Sequence, residues 1–164
     1  MRAAGPALAL LLLAGLLPAP AAEAGRPVRG PCEEERCIWF RELSREVAGA
    51  SARGMLLRLQ IHWWTGTDRP ETGEEEVQEE ILYVLCSGTW PALVERAGRR
   101  WRERPLNPGE PAPADRAAAA AYGWACHGTS SGPRSGPALA DLYANRPAAP
   151  RERRLLQRPE DVLR

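Results

Sequence analysis

The stretch Met55–Trp64 (MLLRLQIHWW) decides the fold, because its apolar residues recur at every second position. An alternation of period two is the mark of a half-buried β-strand. The residues predicted to share the buried face are Met55, Leu57, Leu59, Ile61 and Trp63, and those predicted to face away are Arg58, Gln60 and His62. The turn residues of Thr65–Gly73 follow, and Val77–Cys86 is rich in branched and aromatic side chains. We therefore predict a long antiparallel hairpin.

The segment that precedes this hairpin has an ambiguous pattern. Trp39, Leu43 and Val47 are spaced by four, which favours a helix starting at Cys37. A short strand over Cys37–Leu43 is the alternative.

Beyond the hairpin, Pro91 interrupts the pattern. Because proline cannot donate a backbone hydrogen bond, we expect Trp90–Val94 and Trp101–Leu106 to be at best short edge strands.

Helical signals dominate the last third of the chain. Asp115 is a good N-cap for a helix that runs from Arg116 through an alanine run to His127, and Gly128 is a good stop. Ala138–Asn145 has the pattern of one or two further helical turns. The predicted fold class is α+β: a small antiparallel sheet with two or three helices, stapled by disulfides.

The amino terminus has the pattern of an export signal. Arg2 precedes the apolar run Ala7–Leu17, and Ala22-Glu23-Ala24 forms a small-residue cleavage site before Gly25. The run is too short to cross a membrane, and no later segment is long enough. We predict a signal peptide over 1–24, a single small exported domain over 25–145 and an Arg-rich tail over 146–164. Disorder of that tail until a partner binds is one interpretation.

The amino-acid composition indicates where the protein is found and which kinds of chemistry it lacks. All 22 basic residues are arginine, and alanine, glycine and proline are plentiful. Because these residues have GC-rich codons and lysine does not, we expect a bacterial source and a periplasmic or secreted location. The lack of lysine excludes Schiff-base chemistry. A net charge of +1 gives no electrostatic case for binding nucleic acid.

The four cysteines are the residues with the clearest structural meaning. In an exported chain they are expected to form disulfides, and four cysteines allow three pairings. Cys32 and Cys37 are close enough in sequence for a local bridge. A Cys86–Cys126 bridge would pin a helix to the sheet and stabilise the fold by roughly 3–4 kcal/mol. The alternative is that Cys86 or Cys126 stays a thiol and serves a small redox enzyme.

Candidate chemistry beyond the cysteines is sparse. The segment Gly123–His127 resembles a haem-attachment motif, but Gly123 replaces the first cysteine of that motif. Adjacent helical residues point about 100° apart, so His127 is badly placed to activate Cys126. His62 and His127 have no zinc-like spacing. We expect no catalytic residue, no metal site and no cofactor.

Charged and aromatic residues suggest surfaces rather than active sites. The acidic run Glu74–Glu80 precedes the second strand, and pairing with the basic stretch Arg96–Arg104 would neutralise it. Trp63 and Trp64 are predicted to point to opposite faces of one strand. An aromatic side chain exposed near arginines suits a glycan, a peptide or a periplasmic partner protein.

The stretch Ile81–Ala92 (ILYVLCSGTWPA), with Cys126 and His127 after an aromatic helix, resembles small uncharacterised exported proteins of alphaproteobacteria. The resemblance implies an exported bacterial domain whose late cysteines can pair, and it transfers no activity. The predicted function is an exported, non-catalytic binding or structural module. The alternative is the small secreted thiol or redox enzyme.

Overall fold

The computed structural model describes residues 25–67, 77–128, 136–144 and 152–164. These residues form a seven-stranded antiparallel sheet in which each strand pairs with the strands next to it in sequence. The strands are β1 (Val28–Glu33), β2 (Arg36–Ser51), β3 (Gly54–Gly66), β4 (Gln78–Cys86), β5 (Ala92–Ala97), β6 (Arg100–Pro105) and β7 (Leu155–Leu156). The helices are α1 (Arg116–His127) and α2 (Gly136–Tyr143), and 3-10 helices span Pro113–Asp115 and Pro159–Leu163.

The central hairpin is the one that the sequence predicts. Strands β3 and β4 pair with Met55 opposite Cys86 and Trp63 opposite Gln78. Leu57, Leu59 and Ile61 are buried on one face of β3, as the period-two pattern requires.

The predicted α+β class is wrong, because the antiparallel sheet dominates the described residues and helices are the minor part. The error lies mainly in β2, which is a strand of 16 residues where a helix was expected. A spacing of four, as between Trp39 and Leu43, is also a multiple of two and fits a strand equally well. The alternative strand over Cys37–Leu43 had the correct type and was too short.

Strands β5 and β6 also differ from the prediction, since both lie inside the sheet and not at its edge. Pro91 lies just before β5, where its missing N–H is not needed for the sheet. Its carbonyl instead accepts a hydrogen bond from the backbone N–H of Leu106 at 2.8 Å. The edge strands of the sheet are β1 and β7.

Strand β7 comes from the Arg-rich tail, for which disorder was one interpretation. Its residues 152–164 form β7 and the last 3-10 helix, and Leu156 and Val162 are buried. Residues 146–151 lie outside the described residues. The boundary at 145 between domain and tail stays a prediction.

The two faces of the sheet carry separate hydrophobic clusters. We call the face under α1 and α2 the helix face; its buried sheet residues are Phe40, Leu57, Leu59, Ile61, Leu82, Val84 and Leu93. We call the opposite face the tail face; its buried sheet residues Leu56, Leu85, Ala92 and Val94 pack with Leu156 and Val162 of the tail. The sheet is therefore covered on one side by helices and on the other by the carboxyl-terminal segment.

Two cysteine pairs lie at disulfide distance. The sulfur atoms of Cys32 and Cys37 are 2.02 Å apart and join β1 to β2. Those of Cys86 and Cys126 are 2.01 Å apart and join the end of β4 to the last turn of α1. In the described part of the chain, no helix has the length and apolar character needed to cross a membrane.

Candidate functional site

A groove separates the first turns of α1 from the helix face, and we call it the alanine groove. Its inner chamber, the one nearer the middle of the sheet, is a cleft open to solvent with a volume of about 200 Å³. The chamber is lined by Ile38, Phe40, Ile61, Trp63, Glu80, Leu82, Leu93, Glu95, Arg104, Ala117, Ala118 and Ala121. Its walls are thus mostly apolar and carry three charged side chains.

A wider and more polar outer chamber adjoins the inner one. Its volume is about 630 Å³, and it lies between the β1–β2 hairpin and the start of α1. Ile38 and Ala117 line both chambers, so the two chambers adjoin at these residues. The charged residues of the outer chamber are Glu33, Glu34, Arg36 and Arg116.

The groove exists because α1 presents alanine to the sheet. Positions 117 to 121 are all alanine, and Ala118 and Ala121 face the sheet as buried residues. A side chain that ends at Cβ cannot fill the space above Phe40 and Ile61, whereas a core normally closes such space with larger residues. The alanine run predicts a helix from the sequence. It does not by itself predict the cavity that these small side chains leave above the sheet.

Two contacts hold the far end of α1 against the sheet. The Cys86–Cys126 pair joins its last turn to β4. Arg45 of β2 donates a hydrogen bond from Nη1 to the carbonyl of Ala125 at 3.0 Å and stacks over the ring of Trp124 at 5.6 Å. These contacts restrain the helix, so the groove cannot close simply by a shift of its carboxyl end.

The amino-terminal end of α1 is held by Arg104 of β6. Its guanidinium donates to Oδ1 of Asp115 at 2.5 Å, to the carbonyl of Ala114 at 2.8 Å and to Oε1 of Glu95 at 2.9 Å. Asp115 occupies the N-cap position that the sequence predicts, but its side chain makes no capping hydrogen bond. It binds Arg104 instead, and so the acid ties the helix to the sheet.

Glu95 is the paired acid of the inner chamber. Burial alone would raise its pKa, but hydrogen bonds from Arg104 and Arg102 outweigh that effect and hold the pKa below the ordinary value. Glu95 is therefore ionised and neutralised within the protein.

Glu80 is the second acid of the chamber, and its environment differs. It lies opposite Ile61 on β3, on the helix face, and its side chain is exposed at the edge of the chamber. Desolvation raises its pKa, a hydrogen bond from Trp63 partly offsets the rise, and the charge of Glu95 adds to it. None of the ion pairs between described residues includes Glu80.

The predicted ion pairs between the acidic run and the basic stretch are not formed by the residues of the run that the structure describes, Glu79 and Glu80. Arg102 and Arg104 bind Glu95. Glu79 instead accepts a hydrogen bond from Gln60 at 2.6 Å and lies 3.6 Å from Nε2 of His62, on the tail face. Glu74, Glu75 and Glu76 lie outside the described residues.

The cysteine–histidine pair forms a second polar cluster at the other end of α1. Nε2 of His127 lies 3.1 Å from the hydroxyl of Tyr143, which lies 2.7 Å from the hydroxyl of Tyr122. Tyr122 in turn donates to the carbonyl of Ser87 at 2.9 Å. Cys126 is bonded to Cys86, and none of the four cysteines is free. This cluster joins α1, α2 and β4 and offers no thiol for the redox alternative.

Trp63 and Trp64 face opposite sides of the sheet, as predicted. Trp63 lines the inner chamber of the groove. Trp64 is buried in a small cluster with Cys37 and Trp39, and the guanidinium of Arg41 lies over its ring at 5.6 Å. Of the two, Trp63 is therefore the one placed to meet a ligand in the groove.

Comparisons of the chain with protein-family models, with curated proteins and with solved structures found no match. The resemblance of Ile81–Ala92 to exported alphaproteobacterial proteins accordingly stays a prediction.

Proposed function

We propose that the chain is an exported, non-catalytic binding module of the periplasm or the secreted fraction. Its alanine groove takes the apolar part of a small ligand. The observation that carries the proposal is the pair of adjoining chambers, an apolar one of about 200 Å³ beside a more polar one of about 630 Å³. Ligand sites are commonly clefts of this kind, mostly apolar with a few polar groups that orient the ligand.

The groove suits binding better than catalysis. The described side chains that line its inner chamber include no serine, cysteine, threonine or histidine that could act as a nucleophile or a proton shuttle. Arg104 and Glu95 are engaged with each other at 2.9 Å. The described residues of the chamber can hold a ligand by apolar contact and by charge, and they present no activated nucleophile.

The size of the inner chamber limits what it accepts. Since one water in the liquid occupies about 30 Å³, a chamber of about 200 Å³ has room for one aromatic ring with a short chain. The outer chamber leaves space for a larger, more polar remainder. A ligand with an apolar end and a polar body would use both.

Two leucine substitutions on α1 test the groove. Ala117→Leu places a larger side chain at a position that lines both chambers. Ala120→Leu makes the same change on the same helix, at a partly buried position outside the groove lining. The probes are 2-phenylethylamine and 2-phenylethanol, and binding is followed by tryptophan fluorescence.

We expect both the native chain and Ala120→Leu to bind at least one of the two probes with equal affinity. Ala117→Leu should weaken that binding at least tenfold while its far-ultraviolet circular dichroism stays unchanged. Equal binding by all three proteins, or no binding of either probe to the native chain, would contradict the proposed function.

Export has its own test. The predicted signal peptide lies outside the described residues, and the two cysteine pairs at disulfide distance fit an oxidising compartment. The mature protein from the periplasm or medium of an expressing bacterium should begin at Gly25 by amino-terminal sequencing. Recovery of the chain only from the cytoplasm, with residues 1–24 attached, would contradict export.

A further inference from the structure

We infer that the alanine groove is a site for apolar amines, in which Glu80 receives the ammonium group and Phe40 and Trp63 contact the apolar body. The inference rests on the binding role proposed above and adds the chemical class of the ligand. The class includes aralkyl and alkyl amines, free or as the end of a larger molecule.

The position of Glu80 is the first argument. Glu80 pairs with Ile61 and points to the same face of the sheet as Ile61, beside Leu82 two residues further along β4. Its carboxylate is exposed at the edge of the chamber, where a ligand can reach it from solvent. Its neighbour Trp63 donates one hydrogen bond, and a carboxylate can accept several more. The remaining acceptor sites can therefore receive a donor from a ligand.

The second argument is the charge around the chamber. Among the described residues, β2, β4 and β5 each place one acid on this face, and two of the three have an arginine partner: Glu42 binds Arg45 at 2.8 Å and Glu95 binds Arg104 at 2.9 Å. The third acid, Glu80, forms no ion pair with a described residue. When ionised, it therefore gives the chamber a net negative charge.

The remaining charged groups near the groove do not reverse this balance. Asp115 is bound by Arg104 at the start of α1. Arg116 lines the outer chamber, where Glu33, Glu34 and Arg36 also lie. The residues that α1 places in the inner chamber are Ala117, Ala118 and Ala121, which carry no charge. An anionic ligand would meet Glu80 and Glu95, and the described residues of the chamber wall offer it no unpaired arginine, so these residues favour a cation.

The third argument is the aromatic wall. Phe40 and Trp63 line the chamber together with Glu80. A cation near an aromatic ring is stabilised by the electron-rich face of the ring, and the effect grows in a desolvated site. An apolar amine would therefore be stabilised at its ammonium group by Glu80 and along its apolar body by Phe40 and Trp63.

The site also implies a direction of pH dependence. Partial desolvation by neighbouring side chains raises the pKa of Glu80. A bound ammonium group would favour the ionised form and so lower that pKa. Amine binding should therefore be strongest where Glu80 is ionised and should weaken as the pH falls through the pKa of Glu80.

Three probes of matched shape test the inference on the full mature chain: 2-phenylethylamine, 2-phenylethanol and 3-phenylpropanoate. The variant is Glu80→Gln, which removes the charge and keeps the shape. The matched control is Glu79→Gln, the neighbouring acid on the opposite face of β4. Affinities are measured at pH 7 by tryptophan fluorescence and calorimetry.

We expect the amine to bind the native chain roughly tenfold or more tightly than the alcohol, because a charge-assisted hydrogen bond is stronger than a neutral one. The carboxylate should bind most weakly. Glu80→Gln should remove the preference for the amine, and Glu79→Gln should keep it.

Equal affinity for amine and alcohol in both the native chain and Glu80→Gln would overturn the amine inference, while the binding role would stand. Tightest binding of 3-phenylpropanoate would also overturn it. A native chain that binds none of the three probes would contradict both proposals.

Discussion

The two faces of the sheet are covered by different means. On the tail face, large side chains from the carboxyl-terminal segment fill the space directly, and Leu56, Val94 and Val162 are fully or almost fully buried. On the helix face, the amino-terminal half of α1 offers alanines and leaves a chamber of about 200 Å³ above the sheet. One face is closely packed, and the other leaves a chamber between helix and sheet.

The two faces also differ in whether an acid on each face has an arginine partner. Glu103 of β6 is 5% exposed and is bound by Arg53 at 3.1 Å and by Arg154 at 2.8 Å. Arg53 also donates to the carbonyls of Val162 and Arg164, which ties the tail to the sheet. Glu80 on the helix face has no such arginine among the described residues. The buried acid that holds the tail is thus paired with two arginines, whereas the exposed acid at the groove has no arginine partner among the described residues.

The largest predicted loss of stability comes from removing the disulfide that attaches α1 to the sheet. Replacing Cys86 and Cys126 together by serine opens a loop of 40 residues and should lower the free energy of unfolding by about 4 kcal/mol. The matched double replacement of Cys32 and Cys37, separated by 5 residues, should cost about 2 kcal/mol because the loop is shorter. Urea unfolding of both variants measures the difference. A larger loss from the short loop would contradict the role of the long bridge as the staple of the helix face.

Removal of Glu103 should have the next largest effect. Glu103→Ala leaves Arg53 and Arg154 without their shared partner, and both arginines retain some exposure to water. We expect a loss of about 2 kcal/mol in the free energy of unfolding, below the value for fully buried pairs. Glu46→Ala breaks the exposed Arg58 pair and should cost less than about 1 kcal/mol. Equal losses in thermal or urea unfolding would show that the tail face does not depend on its buried acid.

Substitution of Glu80 should change stability least, and it should raise the free energy of unfolding where the other substitutions lower it. Because its pKa is raised in the folded chain, folding is favoured below the ordinary glutamate pKa. That advantage is lost as the pH rises through the folded pKa. Glu80→Gln should therefore be slightly more stable than the native chain at pH 7, with the gain shrinking toward pH 4. A loss of stability at pH 7 in urea unfolding would mean that Glu80 serves the packing of the helix face.

The sequence predicted the parts of the fold that depend on local pattern. The alternation of Met55–Trp64 identified β3, and the alanine run with Gly128 at its end identified α1. It failed at β2, where a spacing of four fits both a helix and a strand. It also failed at β7, whose two residues form a strand only because the edge of β6 is there to pair with.

The candidate site was less accessible from sequence than the fold. Cys126 and His127 drew attention because they resemble known motifs, yet Cys126 is paired in a disulfide and His127 contacts Tyr143. The groove depends on which small residues of α1 lie over which large residues of the sheet. That register is a tertiary property. An alanine run beside strands rich in bulky residues was the one signal that could have suggested it.

The most direct test of the groove is the indole N–H signal of Trp63 in a ¹H–¹⁵N correlation spectrum. That N–H donates to Glu80 inside the inner chamber, so a ligand there must change its environment. Trp101, which packs against Tyr83 and Arg96 away from the groove, is the internal control, and Trp63→Phe assigns the signal. Addition of 2-phenylethylamine should shift the Trp63 signal in a saturable way and leave that of Trp101 in place. A Trp63 signal that stays fixed while other indole signals move would contradict ligand binding in the alanine groove.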